Sequence, residues 1–259
     1  MGRFHRHDDG TVHSHDPGDH GEHADHGDHT GYDTGAERID VLESIFAEND
    51  VRADFNRKAF ESNGIRALNL MSSPGSGKTT VLGATLDAMC GDLAIGVIEG
   101  DIATDLDAAA LAGRGAQVSL LNTSNGFGGE CHLDAPMVNR ALQGLDLPGL
   151  DLVIIENVGN LVCPAEFDVG EHAKAMVYAV TEGEDKPLKY PVMFRSVDVV
   201  LLNKIDLVPH LDADVDVYID RVRQVNPTAL VLPVSARTGE GMAAWFDWLN
   251  AFVGVHSAS

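Results

Sequence analysis

Ile65-Arg-Ala-Leu-Asn-Leu-Met-Ser-Ser-Pro-Gly-Ser-Gly-Lys-Thr-Thr80 passes from an apolar run into a glycine-rich turn, a Lys-Thr pair and the start of a helix. Ile65 to Leu70 reads as a buried strand, and Val81-Leu-Gly-Ala-Thr-Leu86 as the first turns of a helix. Strand, turn and helix in that order make a phosphate-binding loop. Pro74 shapes the turn, and the backbone N–H groups of Gly75, Ser76, Gly77 and Thr80 converge on one spot, where the helix dipole favours an anion. Lys78 adds a charge for the β- and γ-phosphates, and Thr79 offers a hydroxyl to Mg²⁺. Ser72 stands where the usual pattern has its first glycine.

Asp198-Val-Val-Leu-Leu-Asn203-Lys204-Ile205-Asp206 is a second apolar run, ending in Asn-Lys-x-Asp. A carboxylate at a base edge accepts from both N1–H and N2–H₂ of guanine, whereas adenine presents neither donor. Asp206 therefore selects guanine, because a buried carboxylate left unpaired is costly. Lys204 can lay its alkyl stem along the base. Leu230-Val-Leu-Pro-Val-Ser235-Ala236 is a third run, whose Ala236 N–H is placed to reach guanine O6. The expected ligand is GTP.

A chain of 259 residues has room for one large α/β domain and a tail. Its formal charge of −22 argues against nucleic acid or an anionic membrane as partner. Three cysteines make no disulfide framework, so a reducing, cytoplasmic setting is expected. No run of apolar residues is long enough to span a bilayer, and no signal-peptide pattern opens the chain.

The first 31 residues hold eight of the twelve histidines: His5, His7, His13, His15, His20, His23, His26 and His29. They alternate with Asp and Gly and have almost no apolar company, so this stretch is expected to be disordered. Imidazole suits Ni²⁺, Cu²⁺ and Zn²⁺, and the acids raise the local cation concentration. The irregular spacing favours many weak, interchangeable sites over one cage; a plain solvated tail is the alternative.

Ala36 to Ser62 carries Ile39, Leu42, Ile45, Phe46 and Phe55 at near-helical spacing. Strands are expected at about 65–71, 93–98, 116–121, 151–156, 173–180, 198–203 and 229–234, with helices between most of them. A last helix holds Trp245, Phe246, Trp248, Leu249 and Phe252 as core. The resulting fold class is α/β, a doubly wound, mostly parallel sheet with ligands at the C-terminal strand ends. Domain limits follow as a metal-binding tail over 1–35 and a nucleotide-binding domain over 36–259 that begins with a helical segment.

That edge gathers further chemistry. Asp101, after the second strand, can reach Mg²⁺ or orient a water. Glu156 and Gly159, in Glu156-Asn-Val-Gly159, occupy the place of an Asp-x-x-Gly metal and γ-phosphate sensor. Cys131 and His132 follow one strand, and Cys163 follows another. In a parallel sheet both loops emerge at the same edge, so two thiolates and an imidazole can converge there on Ni²⁺ or Zn²⁺. Two buried cysteines and a surface histidine are the plain alternative; Cys90 reads as core.

Taken together, Leu68 to Thr80, Ile98-Glu-Gly-Asp101, Glu156 to Pro164, Thr181-Glu-Gly-Glu-Asp-Lys-Pro-Leu-Lys-Tyr-Pro191 and Asn203-Lys-Ile-Asp206 closely resemble the hydrogenase nickel-incorporation GTPases, the HypB family. The resemblance covers about residues 36–255. It implies a GTPase of the signal-recognition and MinD-like class that uses GTP and Mg²⁺ and helps to deliver nickel to the large subunit of [NiFe]-hydrogenase. It also implies a homodimer linked to GTP and metal, and a small zinc-binding companion of the HypA type. Under it, Lys78, Asp101, Glu156 and Gly159 serve hydrolysis, and Cys131, His132 and Cys163 form the Ni/Zn site at the dimer interface. Lys186 approaches nucleotide across that dimer. The chain departs from members with an N-terminal cysteine-rich nickel site, since no cysteine precedes Cys90. Two rival readings are a urease-type nickel GTPase, which would carry Cys-Pro-His where Cys131-His132 stands, and a protein that chiefly stores nickel.

Overall fold

The computed structural model describes residues 3–6, 12–15, 34–100, 111–121 and 132–254, with side chains from residue 46 onward. Packing divides the chain into Met1–Val41 and Leu42–Ser259. In the first unit, strands β1 (Arg3–Arg6) and β2 (Val12–His15) pair antiparallel, with His5 opposite His13. Helix α1 (Thr34–Ser62) is one continuous element.

The second unit is built on seven parallel strands: β3 (Arg66–Ser72), β4 (Ile95–Glu99), β5 (Gln117–Leu120), β6 (Leu152–Glu156), β7 (Ala173–Ala179), β8 (Val199–Asn203) and β9 (Leu230–Pro233). Their order across the sheet is β5-β4-β6-β3-β7-β8-β9. The chain leaves β3 for one edge, returns to insert β6 beside β3, and then builds outward on the other side. Strands β4, β6 and β8 are buried along their whole length, as expected of apolar strands covered on both faces. All seven lie within two residues of the positions expected from the sequence.

Helices close both faces. On one, α2 (Lys78–Met89) and α7 (Met242–Val253) set Val81, Leu82, Leu86, Trp245 and Leu249 against Leu68, Leu70, Ile154 and Leu201. The Trp245 Nε1–H donates to Thr85 Oγ1 at 2.9 Å, satisfying an indole that is 1% exposed. Trp248 stacks between Trp245 and Phe252 with centroids 5.3 and 5.2 Å away. Trp245 and Leu249 are core as expected, while Phe246, Trp248 and Phe252 are half-buried against it. Cys90, expected as core, is likewise half-buried against this cluster.

On the other face, α3 (Ala135–Leu142) packs Val138 and Leu142 on Val153 and Ile155, with Phe60 of α1 beside them. Asp134 caps α3 by accepting from the Met137 N–H at 2.7 Å. Beyond β7, short helices α4 (Lys186–Lys189) and α5 (Pro191–Arg195), with α6 (Val215–Val225), cover Tyr178, Val200 and Leu202.

Of the apolar stripe expected of α1, Ile39, Leu42 and Ile45 lie outside the residues with described side chains, and Phe55 departs from it. Phe55 is 58% exposed, with Arg52 over its ring, and the buried face uses Asn49, Ala53, Asn56 and Phe60. The asparagines are inside because they satisfy the backbone of other segments: Asn56 Nδ2 donates to the carbonyls of Ala135, at the start of α3, and Val169 at 2.9 and 3.0 Å. Among the described residues no helix is long and apolar enough to cross a membrane.

Candidate functional site

Register fixes what meets at the C-terminal edge. Leu70 lies opposite Glu156, Glu99 opposite Glu156, and Ala179 opposite Asn203. The turn from β3 into α2 therefore sits between the ends of β6 and β7. Gly77 enters α2 with φ 96°, a left-handed conformation that suits glycine. A Cβ there would lie 2.6 Å from Asn203 Nδ2, so the position excludes side chains twice over.

Lys78 is 4% exposed and points inward. Its ammonium donates to the Asn157 carbonyl and lies 3.7 Å from Glu156 Oε1. Thr79 Oγ1 donates to the same Glu156 oxygen at 2.9 Å. Glu156 is fully buried, and its other oxygen, Oε2, has no hydrogen-bond partner among the described residues. A buried, half-satisfied carboxylate beside a threonine hydroxyl is an oxygen donor set suited to a hard divalent cation. Gly159 faces Pro74 across the mouth, where a Cβ would sit 3.4 Å from the Pro74 backbone.

Two adjoining hollows result. One, of about 310 Å³, is lined by Ser72 to Gly75, Gly77 to Thr80, Gly159 and Lys204. The other, of about 360 Å³, shares Gly77, Thr80 and Lys204 with it and adds Asn203, Asp206, Ser235, Ala236 and Arg237. Asp206 Oδ1 accepts from Ser235 Oγ at 2.7 Å, which leaves its carboxylate aimed with the other oxygen available. Lys204 takes the left-handed backbone at φ 65° and donates to the Gly75 carbonyl at 2.6 Å. The Ala236 N–H donates to Asn203 Oδ1 at 3.1 Å, so the contact with guanine O6 expected of it requires that donor to be shared.

Lys186 lies 3.3 Å from Glu182 Oε2 and 5.5 Å from the Tyr190 ring centroid. Glu182 accepts from Ser73 Oγ and, through Oε1, from the Ala179 N–H at 2.9 Å. It thus connects the phosphate loop to the segment that carries Lys186. Burial first, then Tyr218, pushes the Tyr178 hydroxyl well above its ordinary pKa, which keeps it a donor to the Gly183 carbonyl. Glu182, Asn157 and Arg237 went unread in the sequence. Glu182 falls inside the quoted Thr181–Pro191 run, but nothing local points to Ser73, 109 positions away.

His132 stacks on Phe167 with ring centroids 4.1 Å apart, and Phe167 in turn meets Phe46 at 5.2 Å. Cys163 opens a single 3-10 turn, Cys163–Ala165. Cys131 and Asp101, and of the tail histidines His7, His20, His23, His26 and His29, lie outside the described residues. Among the described residues no group of three or more His, Cys, Asp or Glu is placed to hold one ion.

A parallel sheet with this loop, this lysine and this Asn-Lys-x-Asp edge defines a P-loop protein of the GTPase fold class. A family profile described as "CobW/HypB/UreG, nucleotide-binding domain" matches residues 66–233. Hydrogenase maturation factor HypB of Azotobacter chroococcum mcd 1 is 51% identical over 214 residues, 82% of this chain and 68% of that protein. Its counterpart in Escherichia coli K12 is 48% identical over 212 residues, 82% and 70% of the two chains. HypB from Helicobacter pylori in complex with nickel superposes with a TM-score of 0.73 at 33% identity, covering 82% of this chain and 99% of that one. HypB from Archaeoglobus fulgidus gives 0.74 at 35%, covering 80% and 100%. The chain belongs to the CobW/HypB/UreG nucleotide-binding family, on its HypB branch.

Proposed function

We propose that this protein is a GTP-hydrolysing nickel metallochaperone that assists nickel insertion into a [NiFe]-hydrogenase. The observation that carries the reading is the pair of adjoining hollows, one bounded by Lys78 and Thr79 and the other by Asp206. Their sizes and polarity suit a triphosphate and a purine respectively. Asp206 selects guanine, Lys78 and the loop N–H groups hold the phosphates, and Gly159 meets the γ-phosphate.

Thr79 and Glu156 fit Mg²⁺, as the unpartnered Glu156 Oε2 suggests, with Asp101 as a further candidate. Bound there, the ion would neutralise charge on the transferring phosphoryl group. The protein's own part is positioning: a buried lysine and a buried carboxylate stand at the loop where the phosphates are to be held.

Nickel is the cargo in this reading, with Zn²⁺ as the competing ion. Cys131, His132 and Cys163 hold it in the nucleotide domain, and the tail histidines buffer it. The names of the relatives and the nickel complex of one of them support nickel as the cargo. A GTP-linked homodimer, a HypA-type companion and the hydrogenase large subunit are the partners proposed, in the cytoplasm.

Phosphate release by the full chain with GTP and with ATP, at matched Mg²⁺, tests the enzyme. GTP turnover with negligible ATP turnover is expected, and equal turnover of both would end the guanine reading. Thiolate-to-nickel charge-transfer absorption tests the metal site, because the tail contains no cysteine. Cys163→Ala should weaken that band, since Cys131 is then the one thiolate left, and a band of unchanged intensity would remove Cys163 from the site.

A further inference from the structure

Asn157 is 1% exposed and has every polar atom engaged by a different part of the molecule. Its carbonyl accepts from Lys78 Nζ. Its N–H donates to the Leu70 carbonyl at 3.0 Å. Its side-chain Oδ1 accepts from two backbone donors, Val158 N at 2.9 Å and Leu133 N at 3.1 Å. Its Nδ2 donates to Asn69 Oδ1 at 3.2 Å, and Asn69 Nδ2 passes on to Glu171 Oε1 at 3.3 Å. Glu171 Oε2 then accepts from the Val169 N–H at 2.8 Å.

Two ends of this network reach His132. Leu133 is its chain neighbour, and Val169 lies two residues from Phe167, which stacks on the His132 ring. The other end is the phosphate-binding ammonium. Because Oδ1 is fixed by two backbone N–H groups, the amide cannot invert without leaving buried donors unpaired. A displacement of the 157 peptide must therefore be carried to the loop that bears His132.

We propose that Asn157 is the positioning residue that couples the nucleotide state to the geometry of the metal-binding loop. The inference rests on the nickel-GTPase reading above. Both the β- and γ-phosphates compete with the Asn157 carbonyl for the Lys78 ammonium, and the γ-phosphate, which GDP lacks, adds the charge that draws it away, since an anion outbids a neutral acceptor. Release of that carbonyl frees the 157 peptide to shift, and its side chain takes Leu133 and His132 with it. The link runs both ways, so metal on the loop must bias the nucleotide site by the same factor.

The test is a nickel titration of the full chain followed by thiolate-to-nickel absorption, in the GDP state and with a non-hydrolysable GTP analogue. Wild type should show apparent affinities differing by about tenfold between the two states, an ordinary coupling. Asn157→Ala should bring that ratio close to one. An unchanged ratio in Asn157→Ala would overturn the proposal while leaving the nickel-GTPase reading in place. A wild type with no thiolate–nickel band would remove that reading, and this inference with it. Amide hydrogen exchange at Leu133 in wild type needs no variant to fold. Its rate should differ between the two nucleotide states, and identical protection would overturn the proposal independently.

Discussion

Asn203 Nδ2 donates to the Ser76 carbonyl at 2.9 Å, joining the base-reading strand end to the phosphate loop 127 positions earlier in the chain. The same side chain takes the Ala236 N–H on its Oδ1. One buried amide thus holds three loops in register, so phosphate and base recognition are geometrically a single event.

Lys78→Ala is expected to abolish GTP binding, because the phosphates lose a charge-assisted contact. It should also destabilise the fold by about 3–5 kcal/mol, since it strands the buried Glu156 carboxylate. Adding Glu156→Gln should restore thermal stability but not binding. Calorimetry with GTP and a thermal melt read the two effects separately.

Asp206→Asn should weaken GTP and favour xanthosine triphosphate, whose O2 carbonyl can accept from the new amide. The Ser235 hydroxyl keeps a partner in the variant, so the loop geometry should hold. Equal affinity for GTP in variant and wild type would contradict guanine readout by Asp206.

Deleting residues 1–31 should remove most nickel-binding capacity and leave GTP turnover nearly unchanged. Eight histidines leave with that segment, and every lining residue of the two hollows stays. Metal stoichiometry per chain, measured before and after truncation, decides it.

His172 gives an acid-side signature. Its Nδ1 accepts from the Ala67 N–H at 3.0 Å, which needs the neutral ring. Burial, then Arg66, lowers its pKa below the ordinary value, with Glu61 opposing. A histidine with a depressed folded-state pKa contributes stability above its unfolded pKa, about 6.5, and loses it as pH falls through the folded value. Chemical denaturation should show stability falling below about pH 6.5, and His172→Asn, which keeps an acceptor, should flatten that dependence.

The sequence made the strands legible because a parallel sheet covered on both faces needs continuous apolar runs, and β6 and β8 are such runs. Lys78, Thr79 and Asp206 were legible because their spacing is local. The long-range ties were not. Nothing near Glu182 announces Ser73, and nothing near Asn157 announces Leu133. Phe55 misled for a related reason: over its described side chains α1 turns Asn49 and Asn56 inward to satisfy the backbone of distant segments, while Phe55 faces out. Polar groups placed to satisfy another segment's backbone carry no periodic signal.

Both tryptophans of the chain stand on α7, stacked 8° from parallel, and one is tied to Thr85 in the helix that starts at Lys78. The protein's tryptophan emission is therefore the report of a single helix and its neighbour. Paired indoles at this distance should also give an exciton couplet in circular dichroism. An optical melt will time the undocking of α7 from α2, and a nucleotide that tightens α2 should register in that light without any attached label.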